Sequence, residues 1–280
     1  MSDTPIFALA LSRLENLRSV TLSQTYEHSR HNEPDIGEYE PPDVTLSPVG
    51  HKFFEALIDA LSQRQGHIED LTLGCLSEEY YPSMNAPGLV GVIQRLNPAS
   101  YRRYQQAFRN LKRLAIALPW TMGENKELNY SGLSALIRSA TALEGLCLTF
   151  DCETLDFLPI DFILSIHAPN LSTLILENVT FQEPRHLLVL LRVHAATLRY
   201  LHLSCLVLEL GSWQRVLFEM RSFLSLESCT IGGFCVGTEG TSEDICPTEQ
   251  SCQFYQAVEA FVCRKIDEDP FQLLQASTPP

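Results

Sequence analysis

Along the chain, one apolar residue is repeatedly followed three positions later by a second, and two positions after that by a third. This frame occurs at Leu17, Val20 and Leu22; Ile68, Leu71 and Leu73; Leu111, Leu114 and Ile116; Leu143, Leu146 and Leu148; Leu171, Leu174 and Leu176; and Leu198, Leu201 and Leu203. The last two apolar residues of each frame are two apart, so both face one side of an extended strand while their neighbours face the other. Each frame therefore predicts a short strand. A weaker seventh copy, Leu224, Leu226, Cys229 and Ile231, aligns with Leu174, Leu176, Val179 and Phe181 and places Ser225 and Glu227 outward. Between frames the apolar spacing becomes helical. It does so at Phe53, Phe54, Leu57, Ile58 and Leu61, at Leu133, Leu136 and Ile137, and over residues 155–167, 185–196, 213–223 and 254–265. Strand and helix alternate from end to end.

Between the first residues of successive frames the intervals are 51, 43, 32, 28 and 27 residues. The later intervals and the frame itself resemble the helix-bearing leucine-rich repeat. That resemblance implies an α/β solenoid, or horseshoe, with parallel strands on the concave face and helices on the convex face. Residues 1–280 are then a single domain of about seven irregular repeats. The two long intervals require loops. Residues 27–48, EHSRHNEPDIGEYEPPDVTLSP, are acidic, proline-rich and poor in aliphatics, and predict a solvated insertion. Residues 76–88, with Tyr80, Tyr81 and Pro82, predict a second loop, and residues 232–251 a third. The helical pattern of residues 254–265 suits a cap over the open end of the array, and residues 266–280 read as a flexible tail.

Within this pattern, the frames ending at Leu176 and Leu203 and the segment GSWQRVLFEMRSFLSLESCTIGG, from Gly211 to Gly233, resemble the fungal F-box proteins that carry leucine-rich repeats. The resemblance is specific to the superfamily and covers nearly the whole chain as repeat architecture. In that family an F-box recruits the small adaptor of cullin-type ubiquitin ligases, and the repeats hold the substrate. No recognisable F-box is expected here, because the first frame begins at Leu17 and leaves too few residues before it. The stretch LPIDFILSI from Leu158 looks like the opening of such a box, yet it runs into the frame at Leu171 and is read as a helix between repeats. The resemblance implies a non-catalytic protein-protein interaction module, similar to the substrate-recognition repeats of those ligase subunits. It would meet the ligase adaptor only if an F-box is supplied elsewhere. The alternative is a stand-alone scaffold or inhibitor unrelated to ubiquitin ligases.

Charge narrows the partners. Asp and Glu number 34 against 20 Lys and Arg, a formal charge of -14, which disfavours the clustered positive surface that nucleic acid or anionic lipid requires. No apolar stretch reaches the length of a membrane helix, for even residues 187–198 carry Arg192 and His194. The start of the chain has no secretory pattern. Nine cysteines, an odd number, fit reduced thiols, and the cytoplasm or nucleus is the expected compartment. Cys229, Cys235, Cys246, Cys252 and Cys263 recur with five and ten residues between them, but no close CxxC pair accompanies them, so no metal and no cofactor are expected.

Common catalytic signatures, GxxxxGK[ST], GxGxxG, HExxH and GxSxG, do not occur, and no enzyme activity is expected. His28 and His31 fall in the acidic insertion, His186 and His194 on an apolar helix, and Asp151, Glu153 and Asp156 after a strand where carboxylates cap the following helix. None forms a convincing site. What remains is a surface, since the residues between the frame leucines stand side by side on the strands. The candidate partner-binding set on the concave face is Arg113, Thr149, Thr173, Ile175, Glu177, Tyr200, His202, Ser204 and Glu227, with Tyr200 and His202 as its anchor.

Overall fold

The computed structural model describes residues 17–22, 56–62, 68–73, 98–118, 131–150, 160–232, 236–237 and 249–272. The acidic insertion expected at residues 27–48, the loop at 76–88 and the Asp151, Glu153 and Asp156 cluster lie outside them, as do His28 and His31.

Seven strands form one parallel sheet: β1 (Ser19–Leu22), β2 (Asp70–Leu73), β3 (Arg113–Leu118), β4 (Gly145–Phe150), β5 (Thr173–Glu177), β7 (Tyr200–Ser204) and β9 (Ser228–Gly232). Their order in the sheet is their order in the chain. Two-residue strands β6 (Thr180–Phe181), β8 (Val207–Leu208) and β10 (Val236–Gly237) form a second parallel sheet. The helices are α1 (Pro98–Phe108), α2 (Ser131–Ser139), α3 (Ile160–Ser165), α4 (Pro184–Val193), α5 (Trp213–Phe223) and α6 (Glu249–Val262), preceded by a helical stretch over residues 56–62. Each labelled helix packs against the next, and α6 also packs on β9.

The frame fixes this arrangement. In the ladder Leu71, Leu114, Leu146, Leu174, Leu201 and Cys229 form one row, and Leu73, Ile116, Leu148, Leu176, Leu203 and Ile231 a second. Both rows are buried. Ile68, Leu111, Leu143, Leu171, Leu198 and Leu226, the first positions of the frames, are buried with them. One core joins these residues to Leu136 and Ile137 of α2, Leu187 and Leu191 of α4, and Val216 and Met220 of α5. Each buried leucine contributes about 1.5–3 kcal/mol of transfer free energy, so the aligned rows are the main cohesive force between successive strand-helix units.

The backbone repeats with the same fidelity. Just before each strand, one carbonyl oxygen accepts two N–H groups from the next unit. Glu69 O accepts from Lys112 and Arg113 at 2.8 and 2.9 Å, Lys112 O from Glu144 and Gly145, Glu144 O from Ser172 and Thr173, and Ser172 O from Arg199 and Tyr200. After β5 and β7 the chain turns through left-handed residues, Asn178 at φ 57° and Cys205 at φ 52°, which aim it into β6 and β8. Asn178 Nδ2 donates to the Phe150 carbonyl at 2.8 Å and so ties its turn to the preceding unit.

Two expectations, the last register and the tail, need adjustment, and two further features were not foreseen. The last frame is Leu226, Cys229 and Ile231, because β9 pairs Cys229 with Leu201 and the Arg199 carbonyl accepts from Glu227 and Ser228. Ser228, Thr230 and Gly232 therefore take the outward positions assigned above to Ser225 and Glu227; a cysteine in the leucine row disguised the register. Helix α1 lies where no helix was expected, and among its described side chains it buries Tyr104, Ala107 and Phe108, a short stripe at helical spacing. His186 is buried on α4, and among the described residues its Nδ1 has no hydrogen-bond partner. Residues 266–272, within the expected tail, are docked: the Ile266 carbonyl accepts from Arg221 at 2.6 Å, and Phe271 packs edge-on against Phe254, ring centroids 5.3 Å apart.

Candidate functional site

One face of the seven-stranded sheet is covered by the helices. The other, the open face, is covered by no other described element, and alternation along each strand delivers its residues in rows. Asp70, Arg113, Gly145, Thr173, Tyr200 and Ser228 form the first row, and Thr72, Ala115, Cys147, Ile175, His202 and Thr230 the second. Glu177 and Ser204 pair in a third row beside Thr149.

Over β2 to β5 the open face sinks into a depression of about 490 Å³, lined by Asp70, Arg113, Gly145, Cys147, Thr173 and Ile175 among others. Small side chains make it. A Cβ on Gly145 would lie 3.4 Å from Arg113 Cγ and 3.9 Å from Thr173 Cβ. Arg113 meets Asp70 through two hydrogen bonds, Nη2 to Oδ2 at 2.9 Å and Nε to Oδ1, and this pairing raises the guanidinium pKa above its ordinary value.

A polar cluster occupies the next part of the face. Thr149 Oγ1 donates to Glu177 Oε2 at 2.8 Å, and His202 Nε2 lies 3.6 Å from Glu177 Oε1. Cys147 Sγ stands 3.9 Å from Thr149 Oγ1, and burial pushes its thiol pKa up, which is the opposite of what a nucleophile needs. Ile175 separates Cys147 from His202 across the ladder. Tyr200, 46% exposed, donates its hydroxyl to Glu227 Oε2 at 2.5 Å, and this contact holds the phenol pKa above its ordinary value.

The structure thus brings Thr149, Glu177 and His202 together, joins Tyr200 to Glu227, and sets Arg113, Thr173 and Ile175 around the depression. Glu227 lies on the rim just before β9 and reaches the face through Tyr200. Thr149 is largely buried, and Ser204 turns its hydroxyl to Cys205 Sγ at 3.7 Å.

A feature absent from the expected set runs along the rim. Arg18, Glu69, Lys112, Glu144, Ser172, Arg199 and Glu227 occupy equivalent positions directly before the strands. Glu69 bridges Arg18 at 3.4 Å and Lys112 at 3.0 Å, and the Lys112 ammonium holds its carboxyl below the ordinary value. Aligning the frames makes the alternation of sign legible. Among the described residues no group of three or more His, Cys, Asp or Glu side chains is placed to hold a metal ion, and no helix is long and apolar enough to cross a membrane.

No protein-family model matches the chain, and no curated protein matches it.

Proposed function

We propose that this chain is a non-catalytic protein-binding module of the leucine-rich-repeat type, a solenoid whose open sheet face is concave and holds a partner. It resembles the substrate-recognition repeats of F-box subunits of cullin-type ubiquitin ligases, and the cytoplasm or nucleus is its compartment. One observation carries this reading: in-register buried rows support a wide parallel-sheet face that no other described element covers. The raised Cys147 thiol and the single hydroxyl donor on Glu177 favour recognition over catalysis. The described cysteines, Cys147, Cys205, Cys229 and Cys263, are all free, as a reducing compartment requires.

Capture from native lysate tests the face when three forms of the chain are compared: wild type, Ile175→Arg on the open face, and Leu164→Arg on α3, where Leu164 is exposed. The reading expects partners shared by wild type and Leu164→Arg but lost from Ile175→Arg. Identical sets on all three forms would refute it. Mixing the purified chain with the ligase adaptor then decides the process. Direct binding would place the chain in a ligase; adaptor recovered with the captured partners but not bound directly would point to an F-box supplied elsewhere; partner capture with no adaptor by either route would leave the stand-alone scaffold or inhibitor.

A further inference from the structure

The chemistry of β5, β7 and β9 narrows the partner. Tyr200 and His202 stand two apart on the open side of β7. Glu177 flanks His202 from β5, and Glu227 flanks Tyr200 from the rim before β9. Both carboxylates are met, among the described residues, by neutral or histidine groups, Thr149, His202 and Tyr200. Among the described residues neither has a lysine or arginine within ion-pairing distance, whereas Asp59, Asp70, Glu183, Glu259 and Asp267 each have one and Glu69 and Glu219 each have two. The open-face positions of β4, β5, β7 and β9 carry no lysine or arginine at all. The nearest rim cation, Arg199, turns its guanidinium back onto the Leu198 and Ala196 carbonyls at 2.8 and 3.0 Å.

Two carboxylates flanking two rings, on the part of the face over β4, β5, β7 and β9 where the strands carry no lysine or arginine and beyond Arg113, which is paired with Asp70, complement a cationic side chain, which gains both charge pairing and contact with the aromatic face. The depression beside them is floored by Gly145 and admits a backbone closely. We infer that the open face binds an extended segment of a protein partner, with a lysine or arginine seated over Tyr200 and His202 between Glu177 and Glu227, and small residues lying in the depression over β3 to β5. This rests on the open face being the docking surface.

The test is calorimetric titration of the full chain at about 20 mM ionic strength, where screening is weak, with three N-acetylated, C-amidated decapeptides: alternating lysine and serine, alternating glutamate and serine, and alternating alanine and serine. Wild type should bind the lysine peptide alone. Glu177→Gln/Glu227→Gln should weaken that binding at least about tenfold. The control Asp161→Asn/Glu268→Gln, which removes equal charge away from the face, should leave it unchanged. Tyr200→Phe keeps the ring and both carboxylates and should retain most of the binding; a loss as large as that of the carboxylate double variant would overturn the cation seat. Equal loss in both double variants would reduce the effect to net charge and overturn the inference, as would binding of no peptide. Equal binding of all three peptides that Ile175→Arg abolishes would overturn the cation seat while leaving the docking face intact.

Discussion

Cys229 lies directly across the parallel ladder from Leu201, with its side chain fully buried where earlier strands place a leucine. That pairing sets the register of the last strand and decides which residues reach the open face. Burial pushes the Cys229 thiol far up in pKa, so it behaves as a small hydrophobe. Cys229→Ser should cost about 1–3 kcal/mol in urea unfolding, because it buries a hydroxyl in an apolar row. The exposed neighbour Thr230→Ala should cost about 0.5 kcal/mol or less. The reverse ranking would restore the alternative alignment, with Ser225 and Glu227 facing outward.

Helix α6 closes the array through Arg221. Its guanidinium donates to the Ile266 carbonyl at 2.6 Å and to the Phe261 carbonyl and Asp267, and it lies 4.5 Å from the centre of the Phe261 ring. Because Arg221 is mostly buried and Asp267 is almost fully exposed, the carbonyl bonds outweigh the ion pair. Arg221→Ala should therefore cost about 2–4 kcal/mol and speed hydrogen exchange through α6, while Asp267→Asn should change stability by about 0.5 kcal/mol or less. Comparable losses from both substitutions would contradict this.

A close approach constrains Gly211. Its φ of 92° is left-handed, and a Cβ there would run into the Pro184 ring at the start of α4. Gly211→Ala should cost about 2–4 kcal/mol, combining backbone strain with overpacking. Pro184→Ala should recover part of that loss. A double-mutant cycle in chemical denaturation measures the coupling, and strictly additive effects would remove the steric cause.

Acid should loosen the middle of the fold through His194. Its Nε2 lies 3.2 Å from the Ile166 carbonyl in a buried site, and burial lowers its pKa below the ordinary 6.5, against the opposing pull of the Ile166 and Ala168 carbonyls and with a small contribution from His167. The folded state thus takes up the proton less readily than the unfolded chain, so the contribution is complete above pH 6.5 and falls away as pH drops from there through the folded value. Melting temperature recorded across this range should fall less steeply for His194→Gln than for wild type. Parallel slopes would assign the acid sensitivity to other groups.

Much of this was legible in the sequence, because a two-residue alternation inside a recurring frame has one extended solution and the leucines say which side is buried. Leu146, Leu174 and Leu201 occupy one row as their spacing requires. Helix α1 was not legible, since the described side chains it buries, Tyr104, Ala107 and Phe108, make a short stripe set among Arg102, Arg103, Gln105 and Gln106. The last register was obscured when a cysteine replaced the leucine and Leu224 offered a competing match. Of the site, the outward rows were readable. The contacts of Glu177 with Thr149 and of Glu227 with Tyr200 were not, because lateral pairing depends on side-chain reach between strands.

The most direct check of the aligned array is thermal and urea unfolding of two adjacent substitutions of one kind, Leu174→Asp and Thr173→Asp. Leu174 is buried between Leu146 and Leu201, whereas Thr173 borders the open depression. The account predicts a loss of several kcal/mol, or outright unfolding, for the first, and a loss of about 1 kcal/mol for the second. Equal losses, or a larger one at Thr173, would contradict the stacking of frame leucines on which both the fold and its open face depend.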